Sequence, residues 1–232
     1  MQLFKFKPKN GLNFGDEFGP MIVNTLLESF RLKPSEKNLN KRLFSVGSVI
    51  HFSKTHDVVW GSGINGKVPL PVNTISRNYY AVRGPLTQSV LSQNDIECPQ
   101  IYGDPAILFP KIYNPNWNIH SEGKILVIPN YNDFSLIQND ILRFGHVSNF
   151  MLLHPYIQPL LMIDLIASAQ AVITSSLHAK IIADSYKIQN AVLGGKGYAE
   201  HAFKYIDYVQ GIGHQQQTFY KDISSALDNI ED

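Results

Sequence analysis

Short β-branched and aromatic runs alternate along the chain with stretches whose apolar residues recur every three or four positions. The sharpest case runs from Ala171 to Leu193. Ala171-Val172-Ile173-Thr174 is a compact apolar run, as in a parallel strand buried on both faces. Leu177, Ile181, Ile182 and Ser185 then share one helical face, and Asn190 to Leu193 is apolar again. The pattern predicts a β-α-β unit. Ser175-Ser176 stand where hydroxyls can cap the helix, and His178 falls in its first turn. A helix start attracts anions through its N–H groups and dipole, and an imidazole there can exchange protons. A serine pair is most often only a cap and a lone histidine most often structural, so the rest of the chain has to decide.

The N-terminal half repeats the alternation. Gln2 to Lys7 alternates as a strand does, and Asn13-Phe14-Gly15-Asp16 leads into a helix with Val23, Leu26, Leu27 and Phe30 on one stripe. Lys33 to Lys41 is polar, contains Pro34 and reads as a surface loop; Leu43 to Ile50 fits either a strand or a buried turn around Gly47. Asp57 to Trp60 is a strand running into Gly61-Ser62-Gly63-Ile64-Asn65-Gly66. That spacing formally matches a dinucleotide fingerprint, but Lys67-Val68-Pro69-Leu70-Pro71 cannot open the helix the fingerprint needs, which argues against a nicotinamide cofactor. Tyr79 to Val82 is the next strand, and a helix follows from Arg83-Gly84-Pro85 to about Ser92. Ile101-Tyr102 is a strand end before Gly103-Asp104-Pro105, with apolar Ala106 to Phe109 beyond.

Pro110 to Ser121, rich in Pro, Asn and Trp, lacks periodicity and marks a domain boundary. Beyond it lie a strand at Lys124 to Pro129, a turn at Asn130 to Asp133, a helix from Phe134 to Arg143 and a strand at Asn149 to Leu153. Pro159 to Gln170 reads as a helix with Leu161, Leu165 and Ala169 on one face. After Leu193, Gly194 to Gly213 reads as a Gly-rich loop carrying Tyr198, Phe203, Tyr205 and Tyr208, and Thr218 to Ile230 as a closing helix. The expected fold is α/β, with two Rossmann-like parallel-sheet halves, residues 1–115 and 116–232.

Composition narrows the chemistry. With 44% hydrophobic and 17% charged residues the chain can build a core. Twenty Lys+Arg against 19 Asp+Glu give a formal charge of +1, so no basic field offers itself to nucleic acid. The single Cys98 excludes an internal disulfide. No apolar signal core follows Met1 and no run is long enough to span a membrane, so a cytoplasmic protein is expected. His51, His56, His146, His154, His201 and His214 show no metal-ligand spacing, and no metal is expected.

In open α/β sheets ligands sit beyond the C-terminal strand ends. Predicted strand ends here carry Gly61, Ser62 and Gly63, Arg83, Asp104, Asn130 and Tyr131, and Ser175, Ser176 and His178. A cleft between the halves is the natural place for them. Asp16, in a Gly-flanked turn at a helix start, suits facing that cleft as a proton acceptor, although aspartates at such positions, Asp104 included, are often only caps or turn formers. The aromatic residues Tyr198 to Tyr208 suit stacking on a ring, or packing a core.

A set of motifs, in chain order, resembles the polysaccharide pyruvyl transferases: Asn13-Phe14-Gly15-Asp16, Trp60-Gly61-Ser62-Gly63, Val82-Arg83-Gly84-Pro85-Leu86-Thr87, Tyr102-Gly103-Asp104-Pro105-Ala106, Pro129-Asn130-Tyr131-Asn132-Asp133, Ser175-Ser176-Leu177-His178-Ala179 and Lys204-Tyr205-Ile206-Asp207-Tyr208. The resemblance implies transfer of an enolpyruvyl-derived group from phosphoenolpyruvate to a sugar, usually as a ketal bridging two hydroxyls. It also implies a fold like the GT-B glycosyltransferases. The partners implied are phosphoenolpyruvate and a sugar or lipid-linked oligosaccharide, with work at the inner face of the membrane and no further cofactor.

The residue chemistry suits that donor. Arg83 has the fork for a carboxylate or phosphate, and the helix start at Ser175, Ser176 and Leu177 suits phosphate. The family's motif histidine contacts the donor, which carries to His178, with Asp16 the second catalytic candidate. Lys180 and Asn130 complete the donor side, while Asn13, Gly61, Ser62, Gly63, Asp104 and Tyr131 fall to the acceptor or cleft. Three positions depart from the pattern. Ser176 stands where many relatives have Arg, Ala179 where Gly is usual, and Asn130 where His is common. Two rival readings remain at this level: a nucleotide-sugar glycosyltransferase, for which no base or ribose motif stands out, and an inactive carbohydrate-binding relative, which Ser176 keeps open.

Overall fold

The structure, a computed structural model, describes residues 1–8, 13–33, 40–117, 121–144 and 149–231. In chain order the elements are β1 (Gln2–Leu3), α1 (Phe18–Ser29), β2 (Arg42–Phe44), β3 (Val58–Trp60), β4 (Asn78–Ala81), α2 (Pro85–Ser92), α3 (Phe109–Ile112), β5 (Ile125–Ile128), α4 (Phe134–Phe144), β6 (Phe150–Leu152), α5 (Pro159–Ala167), β7 (Ala171–Thr174), α6 (Leu177–Ser185), β8 (Gln189–Leu193), α7 (Phe203–Gly211), β9 (Phe219–Tyr220) and α8 (Ile223–Glu231). They form two compact units. One takes Met1–Lys7, Asp16–Leu108 and His201–Gln217; the other takes Pro8–Gly15, Phe109–Glu200 and Thr218–Asp232.

The first unit holds an all-parallel sheet in the order β1-β2-β3-β4. Val82 adds one bridge to Tyr102, which is all that forms of the strand expected at Ile101-Tyr102. The first strand is also shorter than its alternation suggests. Beyond Leu3 the Phe4 N–H still donates to the Leu43 carbonyl at 2.9 Å, and the Phe4 and Phe6 rings stack with Phe44 and Phe52, Phe4 and Phe44 lying 4.2 Å apart. Helix α1 buries Phe18, Ile22 and Val23, about a turn earlier than the predicted stripe; Leu26 and Leu27 are half-buried and Phe30, past the helix end, is exposed. Most of the loop expected at Lys33 to Lys41 lies outside the described residues. After Gly66 the chain runs in bends and turns through its prolines, as steric conflict with a helix demands.

The second unit holds a parallel sheet ordered β6-β5-β7-β8-β9. Strand β7 lies in the middle, buried at every residue, which is why its sequence is continuously apolar. Ile125, Val127, Ile173, Ala191 and Leu193 meet Ile137, Ala226 and Ile230 from α4 and α8 in one core. Helix α5 is buried nearly all round, so its Leu161-Leu165-Ala169 stripe does not describe it: Leu161 is exposed and Met162 to Ala167 are buried.

Two expectations are corrected. Gly194 to Gly213 is not one loop. Its second half is α7, whose Tyr205, Tyr208 and Val209 fall at helical spacing and are buried, with the helix packed on α2 in the first unit. Tyr205 and Tyr208 are therefore core residues, unavailable to stack on a sugar. Nor does the closing helix start at Thr218: Phe219 and Tyr220 pair with Val192 and Leu193 as an edge strand, and α8 follows.

Candidate functional site

In the first unit the glycine-bearing motifs meet at the C-terminal ends of β3 and β4. Arg83 is the centre of this group and is fully buried. Its Nε donates to Asp207 Oδ2 at 3.0 Å, and Nη2 lies 2.9 Å from the same oxygen. Nη2 also donates to the Ile64 carbonyl at 2.7 Å, and Nη1 to the Ser48 hydroxyl. Asp207, equally buried, accepts from the Thr87 N–H and hydroxyl at 2.8 and 2.7 Å. Gly63 is glycine for a physical reason: a Cβ there would stand 2.5 Å from the Arg83 guanidinium carbon. The sequence suggested Arg83 for a donor carboxylate or phosphate; in the structure its fork lies on Asp207.

The neighbouring candidates are interior as well. Gly61, Ser62 and Gly63 are buried, and the Ser62 hydroxyl donates to the Gly47 carbonyl at 2.7 Å. Asp104 is fully buried, and burial pushes its carboxyl up to about 6. The Ala106 N–H, which donates to Asp104 Oδ1 at 3.0 Å, and the Arg83 charge hold it from rising further. Asp16 is half-buried in the 3₁₀ turn that opens α1.

In the second unit, side-chain bonds tie the turns after β5 and β7 together. The Ser175 hydroxyl accepts from the Asn130 N–H at 2.9 Å, and the Thr174 hydroxyl accepts from the Ser176 N–H at 2.8 Å. The Asn130 side chain accepts from the Asn132 N–H at 3.0 Å, forming an Asx turn below the exposed Tyr131. Ser176 is the N-cap residue of α6 by position, but its hydroxyl makes no capping bond. Lys180 is buried, with Nζ 3.0 Å from Asp184 and 3.3 Å from Asn190 Oδ1. Its ammonium thus serves a network at the far end of the helix, not the helix start where a donor anion was expected.

His178 stands out. From Ala171 to Ala183 every residue is buried except His178, which is half-exposed. The Asn13-Phe14-Gly15 motif lies against it. Asn13 itself is half-buried. Phe14 meets the imidazole edge-on, centroids 6.5 Å apart, and its N–H donates to the Pro155 carbonyl at 3.1 Å. A Cβ built on Gly15 would overlap the His178 ring at Nδ1. Gly15→Ala is therefore expected to displace the imidazole and lower turnover by ~10²-fold, the scale of a 1 Å misplacement, with little change in melting temperature. A kinetic assay beside thermal unfolding checks this; undiminished turnover would show that the close approach has no catalytic consequence.

Sequence reading located these segments but missed their pairings. Nothing local in the chain marks Asp207 as the partner of Arg83, or Gly15 as the floor under His178. The pairing of Lys180 with Asp184, four apart on one helix, was also missed, although that spacing is the signal that could have found it.

The family model for polysaccharide pyruvyl transferase matches residues 22–197, which include Arg83, Asp104 and His178. No match was found among curated proteins.

Proposed function

The chain belongs to the polysaccharide pyruvyl transferase family and is an enzyme of that kind, and from this premise we propose that it takes phosphoenolpyruvate as donor and forms a pyruvate ketal on sugar hydroxyls. The observation that carries this reading is His178, the one residue of the Ala171 to Ala183 segment that is not buried, set in the first turn of α6.

In this reading the donor phosphate lies at the start of α6, where first-turn N–H groups and the helix dipole favour an anion. Ser176 is neutral, so backbone N–H groups take the part that an arginine plays in many relatives. Two sugar hydroxyls add to the enol carbon that bears the phosphate, the methylene carbon gains a proton, and inorganic phosphate leaves. His178 supplies the proton or steadies the departing phosphate. Of the two hydroxyl protons released, one balances the proton gained by the methylene carbon and the other leaves with the phosphate, and Asn13 and Tyr131 flank the acceptor. Arg83, Gly63 and Asp104 hold the strand ends of the first unit in place rather than gripping the donor.

Among the described residues no helix is long and apolar enough to cross a membrane. The proposed setting is the cytoplasm, at the inner face of the membrane, on a polysaccharide or its lipid-linked precursor. Incubation with phosphoenolpyruvate, or with a panel of nucleotide sugars, tests the donor. Acceptor-dependent phosphate release with a matching mass gain on the acceptor is expected. Nucleotide release without phosphate release would overturn the reading in favour of a glycosyltransferase.

A further inference from the structure

The second unit also contains a cavity that His178 does not line. It has a volume of about 250 Å³ and opens between α4, the loop after β8 and the turn from β9 into α8. Leu136, Ile137 and Tyr198 give it apolar walls, while Asn139, Lys196 and Asp140 bring polar groups to it. Tyr198 is held in place by its hydroxyl, which donates to the Lys221 carbonyl at 3.1 Å, and its neighbour Ala199 donates its N–H to Asp133 Oδ1 at 2.7 Å.

The lining selects a ligand class. The start of α8 would attract an anion, but the protein's own carboxylates already serve it. Asp140 Oδ2 accepts the Ile223 N–H at 3.2 Å, and Asp222 Oδ1 accepts the Ser225 N–H at 2.8 Å. At the helix start itself a second anion would face those two carboxylates, although Lys196 and Lys221 also line the cavity. Those carboxylates still have lone pairs for hydroxyl donors. Apolar C–H faces against Tyr198 and Leu136, with hydroxyls reaching carboxylate, amide and ammonium, are what a sugar ring presents. The volume lies below the ~300–1,000 Å³ typical of sites for drug-sized ligands, so it suits one ring rather than a nucleotide sugar.

We propose that this cavity is a subsite for one sugar residue of the acceptor chain, away from the residue that is modified. The proposal rests on the acceptor being a polysaccharide. Hydrogen bonds link its wall to the α6 start: Ala199 to Asp133, the Asp133 N–H to the Asn130 carbonyl at 2.9 Å, and the Asn130 N–H to Ser175. The cavity wall and the α6 start both follow C-terminal strand ends of the same sheet, the edge along which the proposed glycan continues.

The test is a glycan array of defined oligosaccharides of increasing length, probed with the full chain and its Leu136→Trp variant. Leu136 is exposed, so the indole fills the cavity without entering the core. The wild type is expected to bind longer glycans more tightly, and the variant to weaken those by at least about tenfold while leaving the shortest unchanged. If Leu136→Trp fails to fold, Asn139→Ala, also exposed, is read the same way. A wild type that binds no glycan, or a folded variant with the wild-type profile, overturns the subsite. Donor turnover plays no part in the readout, so failure of pyruvyl transfer from phosphoenolpyruvate would register separately.

Discussion

Asp207→Ala is expected to destabilise the first unit by about 3–5 kcal/mol, the scale of leaving a buried charge without its partner. Arg83 has no exposed surface, and two of its nitrogens lie within 3.0 Å of Asp207 Oδ2. Removing the carboxylate strands the guanidinium where water cannot reach it, and it also removes the acceptor for the Thr87 N–H and hydroxyl. Arg83→Met should be severe for the mirror reason. The double variant Arg83→Met/Asp207→Leu should lose much less than the sum of the two, because no charge is left unpaired. Unfolding midpoints of the three variants check this, and a midpoint for Asp207→Ala equal to wild type would refute it. Arg83→Lys separates a structural role from donor binding. A lysine keeps the charge but loses the fork. The position in the structure predicts a lowered midpoint; a raised donor KM with an unchanged midpoint would return Arg83 to the donor.

What the sequence revealed followed the range of the forces involved. The Ala171 to Leu193 unit was legible because a strand buried on both faces is continuously apolar and its helix repeats near 3.6. The parallel architecture of both halves followed from strands alternating with helices. Helix α7 was hidden because Gly194, Gly195 and Gly197 precede it and because its buried residues include two tyrosines, which read as loop or binding aromatics, and the charged Lys204 and Asp207 beside Val209. Strand β9 is two residues long and exists through pairing with β8, which no local pattern encodes. The site divides similarly. The turn motifs could be seen, and the family resemblance gave them an order. The bond between Arg83 and Asp207 spans 124 positions, and only the folded chain shows that both are interior. The departure at Ser176 was readable, but not that the nearby Lys180 is held by Asp184 and Asn190.

His178→Ala is expected to keep the fold and lower acceptor-dependent phosphate release by ~10²–10⁴-fold, the usual scale for losing a general acid or base. The fold should survive because His178 is only half-buried while α6 is anchored by Leu177, Ala179, Ile181 and Ile182. A second variant separates the two tasks an imidazole can perform there. Glutamine still donates a hydrogen bond to phosphate but moves no proton at neutral pH. If His178 serves by proton transfer, His178→Gln is as poor as His178→Ala. Both variants then lack the acid that the wild-type imidazole supplies. If His178 only steadies the leaving phosphate, His178→Gln recovers much of the rate, and what is lost appears in donor affinity. The helix start alone contributes ~0.3–1 kcal/mol toward an anion, less than a tenfold effect, so it cannot mask a loss of the expected size. Near wild-type turnover in His178→Ala would remove the residue from the reaction and leave the start of α6 as the site's remaining chemistry.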